Sequence, residues 1–436
     1  MSDRPDKPIY ELAVTWILAP IILVFISMIG FSFENAGRNT LLGDAGAGVI
    51  ADQSSSFAAR AQNYAVYLAI VLLMIPMIRI IAGDFRREVL LSLNWGFVVL
   101  SALWSQNPYA TVQGSMYLAL NIVFAFYLLR RFSPNDFMRL LMMAGTIALF
   151  SSLFLVVAMP QYGIMGRQWF NTAGWQGIFS QKNILGQAFC WLITPAFFVK
   201  LSGQYARILR ICYIFLLLFF IAMSRSTGAW IDCVCVVVSI LVMKQLSRVS
   251  KRDATVLVIT GLVLVVVFAM LAVAFRETLL PIFGKDTTLT GRTLIYASVI
   301  DSIMKRPWLG YGYMAFWTGL KGESANVVLS TFSGIGYAES GVLELTLGVG
   351  LIGLVLFLVL FFRAVGDAVY CLVRKPSPEV MWYTSLLILA LVINTESGKL
   401  LYIGNFECIL EYIVFVALRR ERRKLQTQVI NEPIAA

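Results

Sequence analysis

Apolar runs close to twenty residues long recur from one end of this chain to the other, and they decide the fold class before any motif is read. A run of that length crosses a hydrocarbon core of about 30 Å as a helix. Inside a bilayer only helices and closed barrels satisfy their own backbone groups. Twelve segments qualify: 12–31, 64–82, 88–104, 114–129, 137–159, 184–199, 209–223, 227–243, 254–275, 341–362, 379–395 and 400–418. Composition agrees, with 59% hydrophobic and 14% charged residues, against about 45–50% and about 25% in a soluble domain. The prediction is an all-α polytopic membrane protein of about twelve transmembrane helices. Residues 1–436 form a single integral membrane domain, with a long, partly helical loop over 276–340 between spans nine and ten.

Twelve crossings put both termini on one side, and Lys and Arg say which. Arg79, Arg86 and Arg87, then Arg130, Arg131 and Arg139, then Lys244, Arg248, Lys251 and Arg252, and finally Arg419 to Lys424 fall in short segments on the side of the termini. By the positive-inside rule that side is the cytoplasm. The net charge of +11 is thereby explained as orientation, and no nucleic-acid partner is expected. The chain has no histidine, which removes the commonest metal ligand and general base together. No D-x-D pair, no phosphate-cradling G-x-x-x-x-G-K-[ST] and no zinc spacing occurs. Neither metal nor cofactor is expected, and the six cysteines, set in or beside apolar runs, do not form a disulfide framework.

The chemistry must come from polar residues on the outer side. Arg225, in AMSRSTGAW, lies between two apolar runs with almost no loop, where an arginine fork suits phosphate oxygens; the alternatives are snorkelling or a pair with Asp232. Lys182, in WQGIFSQKNILGQ, marks the re-entry of an outer segment, as a ligand or as a helix-end anchor. Ile295, Tyr296, Val299, Ile300, Ile303 and Met304 follow helical spacing, predicting an amphipathic helix over 293–305 that lies on the membrane or caps the bundle. Arg292 would sit in its first turn, where a cation opposes the helix dipole unless an anion joins it. Glu339 opens the run from Ser340 and suits a general base, whereas Glu344, about 140° round the helix, reads as a structural acid. Glu407 and Glu411, one turn apart in the last span, are either a proton path or a network with Asn394, Glu396 and Lys399.

Six stretches, WQGIFSQKNILGQ, SRSTGAW, GKDTTLTGRTLIY, KRPWLGYGYMAFW, ESGVLELTLGVGLIGL and NTESGKLLYIGNFE, occur in order from residue 175 onward. In them the chain resembles the O-antigen ligase and polymerase family, and most of all its exopolysaccharide-polymerase branch. The resemblance implies a bacterial inner-membrane enzyme that inverts the anomeric carbon without metal, at the periplasmic face, on an undecaprenyl-pyrophosphate-linked glycan. It implies pyrophosphate binding by Arg225 and Arg292, and a pathway shared with a chain-length regulator and a flippase; Lys182, a third cation on the outer side, is expected to assist. Where the family usually has histidine, in A-H-N-G-x-L-E, this chain has Glu339. Trp308, Tyr311 and Tyr313 are candidate sugar contacts or interface-belt aromatics. The expected activity is polymerisation of repeat units. The alternatives are ligation to lipid A core or another acceptor, and transport of lipid-linked glycan.

Overall fold

The computed structural model describes residues 9–27, 57–166, 173–246, 292–331, 336–396 and 406–431. Local chemistry fixes where the long helices start. Asn107 and Ser133 each accept a backbone N–H, from Ala110 and Asp136 respectively, and each is followed by proline in the first helical turn. A polar cap ahead of a proline with no amide to satisfy is a strong helix start. The elements are α1 (Ile9–Ser27), α2 (Phe57–Met74), α3 (Ile78–Arg87), α4 (Val89–Leu100), α5 (Pro108–Arg131) and α6 (Pro134–Ala158). A two-stranded antiparallel hairpin follows, β1 (Ile164–Met165) and β2 (Gly174–Trp175). Then come α7 (Lys182–Ile193), α8 (Ala206–Met223), α9 (Thr227–Leu246), α10 (Arg292–Lys305), α11 (Ser324–Thr331), α12 (Gly341–Arg374), α13 (Pro378–Glu396) and α14 (Phe406–Asn431).

Among the described residues seven helices are long and apolar enough to cross a membrane, and two shorter apolar helices, Val14–Ile26 and Val89–Leu103, accompany them. The protein is a multi-pass, all-α membrane protein. The span expected over 64–82 is interrupted by a 3-10 turn at Ile75–Met77 that contains Pro76. The one expected over 184–199 is the short, almost wholly buried α7, ending in another such turn at Thr194–Phe197. The expected span at 254–275 lies outside the described residues.

Residues 406–418 of α14 are buried on every side, as befits a central helix rather than a lipid-facing one. Helices α1, α5, α12 and α13 surround it, and α13 also packs on α9, which joins α7 and α8 to the bundle.

One end of the bundle is closed by arginine. Asp84 takes Nε and Nη2 of Arg130 at 2.6 and 2.5 Å and Nη2 of Arg420 at 3.0 Å. Asp367 faces Arg422 at 2.7 Å and Arg419 at 3.5 Å, and Glu88 faces Arg423 at 3.0 Å and Arg363 at 3.5 Å. Each carboxylate thus holds two guanidiniums, and the six ion pairs tie α3, α5 and α12 to α14. A buried ion pair adds little over an apolar one, but removing one partner strands the other. Asp367→Ala is therefore expected to lower the stability of the detergent-solubilised protein by about 3 kcal/mol, read as a drop in its thermal unfolding midpoint. An unchanged midpoint would show that the arginines find water instead.

Candidate active site at a meeting of helix starts

At the other end of the bundle, about 33 Å away along α12 at 1.5 Å per residue, four helices begin close together. Lys182 is the first residue of α7, Arg225 stands two residues before α9, Arg292 is the first residue of α10, and Glu339 stands two residues before α12. Contacts link them in a chain. Gly174 on β2 lies so close to the Ser224 carbonyl that a Cβ would collide with it, and the same Cβ would meet the Lys182 side chain at 3.0 Å. Gly186 of α7 likewise touches Ala229 of α9. The Tyr337 hydroxyl donates to Gln181 Oε1 at 3.3 Å, and the Tyr296 hydroxyl, one turn past Arg292, donates to the Glu339 carbonyl at 3.1 Å. The sequence-read candidates are therefore linked: Lys182 to the 224–225 turn through Gly174, and Glu339 to both α7 and α10 through tyrosines.

Two of these residues hold unusual backbone. Arg225 has φ +50° and Glu339 φ +51°, the left-handed region that costs a side-chain-bearing residue about 1–2 kcal/mol. Strain of this kind persists only where the surroundings enforce it, and it collects at functional sites. The Arg225 side chain is exposed, and among the described residues it makes no ion pair or side-chain hydrogen bond; the pair with Asp232 does not form. Lys182 is buried, only 3% exposed. Helix α10 presents Ile295, Val299 and Ile303 to a small separate core with Tyr311, Phe316, Val327, Ala338 and Leu347. Ile300 and Met304 are exposed instead, so α10 caps the bundle. Lys305, at its end, bridges Glu323 at 2.6 Å and Asp301 at 3.2 Å, and these carboxylates hold its ammonium above the ordinary lysine range.

The segment Arg306 to Trp317 is a bracket. Gly350, with φ +67° and ψ −174°, breaks α12, a conformation open essentially to glycine alone. The segment fills the break: Leu351 and Ile352 donate to the Pro307 and Trp308 carbonyls, and Tyr311 and Gly312 donate to those of Leu347 and Gly348. Its other edge is held by the α4–α5 turn. There Trp104 Nε1 bonds the Leu309 carbonyl, Gln106 N bonds that of Tyr311, and Thr111 Oγ1 bonds that of Tyr313. This corrects the expected sugar-contacting role of Tyr311 and Tyr313. Both are buried, and the Tyr311 hydroxyl donates to the Ser302 carbonyl at 2.7 Å. Only Trp308, 66% exposed, presents a free ring. Trp317 is turned to the Glu344 carboxylate. Glu407 and Glu411 lie elsewhere, buried in α14, where Asn394 Nδ2 donates to Glu411 at 3.1 Å; the Glu396 side chain and Lys399 lie outside the described residues.

Sequence reasoning missed Gly174, Gln181, Tyr296 and Tyr337 as the parts that join the site. Only Tyr296 carried a signal, as the polar member of an apolar helix face. Among the described residues, no group of three or more Cys, Asp or Glu stands where a metal ion could be held.

Residues 212–358 match the family model described as O-antigen ligase, a stretch that includes Arg225, Arg292, Glu339 and Glu344. An exopolysaccharide production protein, ExoQ of Rhizobium meliloti (strain 1021), is 27% identical over 164 residues. That alignment covers 36% of this chain and 38% of the relative. These findings bear out the resemblance to an O-antigen ligase- or polymerase-like family near its exopolysaccharide branch.

The meeting of α7 with the segment before α12 has a direct check. In a background freed of native cysteines, Gln181→Cys paired with Tyr337→Cys is expected to cross-link in high yield with a short bis-alkylating reagent, seen as two fragments that stay joined after proteolytic cleavage between the two positions. Absence of the cross-link would separate Glu339 from Lys182.

Proposed function

We propose that the protein is an inverting glycosyltransferase that polymerises lipid-pyrophosphate-linked oligosaccharide repeat units into exopolysaccharide or O-antigen. Its site faces the periplasm from the inner membrane, and both termini lie in the cytoplasm. The observation that supports the reading is that Lys182, Arg225 and Arg292 stand at or just before three helix starts linked by a chain of contacts. Each helix N-terminus is equivalent to about half a positive charge, which adds to the charge of an arginine or lysine placed there and favours an anion. A pyrophosphate supplies that anion.

Arg225 and Arg292, with Lys182 assisting, bind the two phosphates of the growing chain's lipid. Glu339 takes the proton from a sugar hydroxyl of the incoming lipid-linked unit. The hydroxyl oxygen forms a bond to the anomeric carbon from the side opposite the leaving group, and the anomeric carbon–oxygen bond to phosphate breaks. The electron pair leaves with undecaprenyl pyrophosphate, whose gained negative charge falls on the cations, which stabilise the transition state more than the ground state. Trp308 is placed to stack on the glycan. The chain-length regulator and flippase of the same pathway are the natural partners.

A second reading, ligation to lipid A core or another acceptor, keeps the same donor chemistry, and the family description of the matched stretch supports it. Purified protein in lipid, given undecaprenyl-pyrophosphate repeat units and EDTA, separates the two. Ladders of lengthening lipid-linked glycan mean polymerase; transfer only to added lipid A core means ligase. Arg225→Ala and Arg292→Ala are each expected to abolish product with protein levels unchanged. Glu339→Gln is expected to lower kcat by about 100-fold, within the usual range for a general base. Normal product from either arginine variant would refute the pyrophosphate assignment.

A further inference from the structure

The position of Glu339 depends on the turn in which it stands. Its φ is +51°, and the helix cap that follows is incomplete, since Ser340 occupies the cap position of α12 without making a side-chain cap bond. The missing acceptor comes from one turn further on. Glu344 Oε2 accepts the Ala338 amide at 2.7 Å, reaching back past the cap much as the acid of a capping box does. The same carboxylate accepts the Trp317 indole N–H on both oxygens, at 2.9 and 3.1 Å. Among the described residues it has no cationic partner: two N–H groups are its whole complement. Ala338 itself is fully buried, a member with Val299 and Leu347 of the small core under α10. On the far side of the turn the Tyr296 hydroxyl holds the Glu339 carbonyl.

We infer that Glu344 is a positioning residue that locks the 338–340 turn from beneath, by its bonds to the Ala338 amide and the Trp317 indole, so that Glu339 is presented to the acceptor hydroxyl in one geometry. Trp317 anchors the carboxylate from the loop side, which couples the bracket formed by 306–317 to the base. A residue on the same helix as a carboxylate base, yet bonded only to backbone and indole N–H groups, has no route to the reacting atoms of its own. Its effect passes through Glu339, and the inference rests on the reading of Glu339 as the base.

The experiment is a double-mutant cycle on the reconstituted polymerisation, with kcat and the KM for the lipid-linked donor measured separately. Glu344→Gln keeps the shape but gives the site one acceptor oxygen in place of two; it is expected to lower kcat about tenfold and leave donor KM within about twofold, because the cations that hold the donor are untouched. Glu344→Ala is expected to lower kcat further, and Glu344→Asp to remain as impaired as Ala because it is too short to reach the amide. In the Glu339→Gln background, Glu344→Gln is expected to cost less than about twofold, since positioning a base that is gone changes nothing. Trp317→Phe is expected to fall between wild type and Glu344→Gln. Equal losses in both backgrounds, a loss carried by KM, or wild-type kcat in Glu344→Gln would overturn the inference. Full activity of Glu339→Gln alone would instead remove the base on which it rests, so the two failures are distinguishable.

Discussion

Positive charge gathered at helix N-termini is the constraint that organises this protein. Lys182 and Arg292 open their helices and Arg225 lies just ahead of a third, each in the place where the dipole repels a cation. Isolated at a surface, such residues would cost little, because water screens them. Here one is buried, and the helix starts are linked in a chain of contacts: the 224–225 turn to α7 through Gly174, α7 to the segment before α12 through Tyr337, and that segment to α10 through Tyr296. An anion carrying more than one charge is the ligand proposed for this arrangement.

The rest of the fold keeps those helix starts in place. The arginine-rich end fixes the far ends of α5, α12 and α14 by carboxylates that each hold two guanidiniums, so the helices cannot slide independently. At the near end the break at Gly350 lets the 306–317 segment bond to both α12 and the α4–α5 turn. The backbone amide–carbonyl bonds there contribute about 1 kcal/mol each, but their larger effect is geometric. They fix where α10 lies, and with it Arg292, relative to Glu339.

Much of this was legible in the sequence and some was not, for physical reasons. Apolar length announced the spans, because the bilayer demands it. Arg225 and Arg292 stood out because their positions conflict with orientation and dipole rules, and such conflicts mark sites. The amphipathic face of α10 was readable from Ile295, Val299 and Ile303, whose spacing is periodic. Tyr311 and Tyr313 misled, since an aromatic in a polar loop gives no local sign of whether it faces a ligand or a helix across the chain; their fate was decided by Gly350, some forty residues away. Gly174 and Gln181 had no signal at all, because close approach between distant segments leaves no periodicity. The replacement of the family's histidine by Glu339 was visible, whereas the bond from Ala338 to Glu344 behind it was not.

The most direct measurement is a structure of the protein in lipid with undecaprenyl pyrophosphate bound. Both phosphates are expected to lie among the starts of α7, α9 and α10, with the Arg225 and Arg292 guanidiniums within about 3 Å of phosphate oxygens and the Glu339 carboxylate facing the side from which the acceptor hydroxyl attacks. Phosphates seated instead on the arginine-rich end, or beside Glu407 and Glu411 in the middle of the bundle, would contradict this placement.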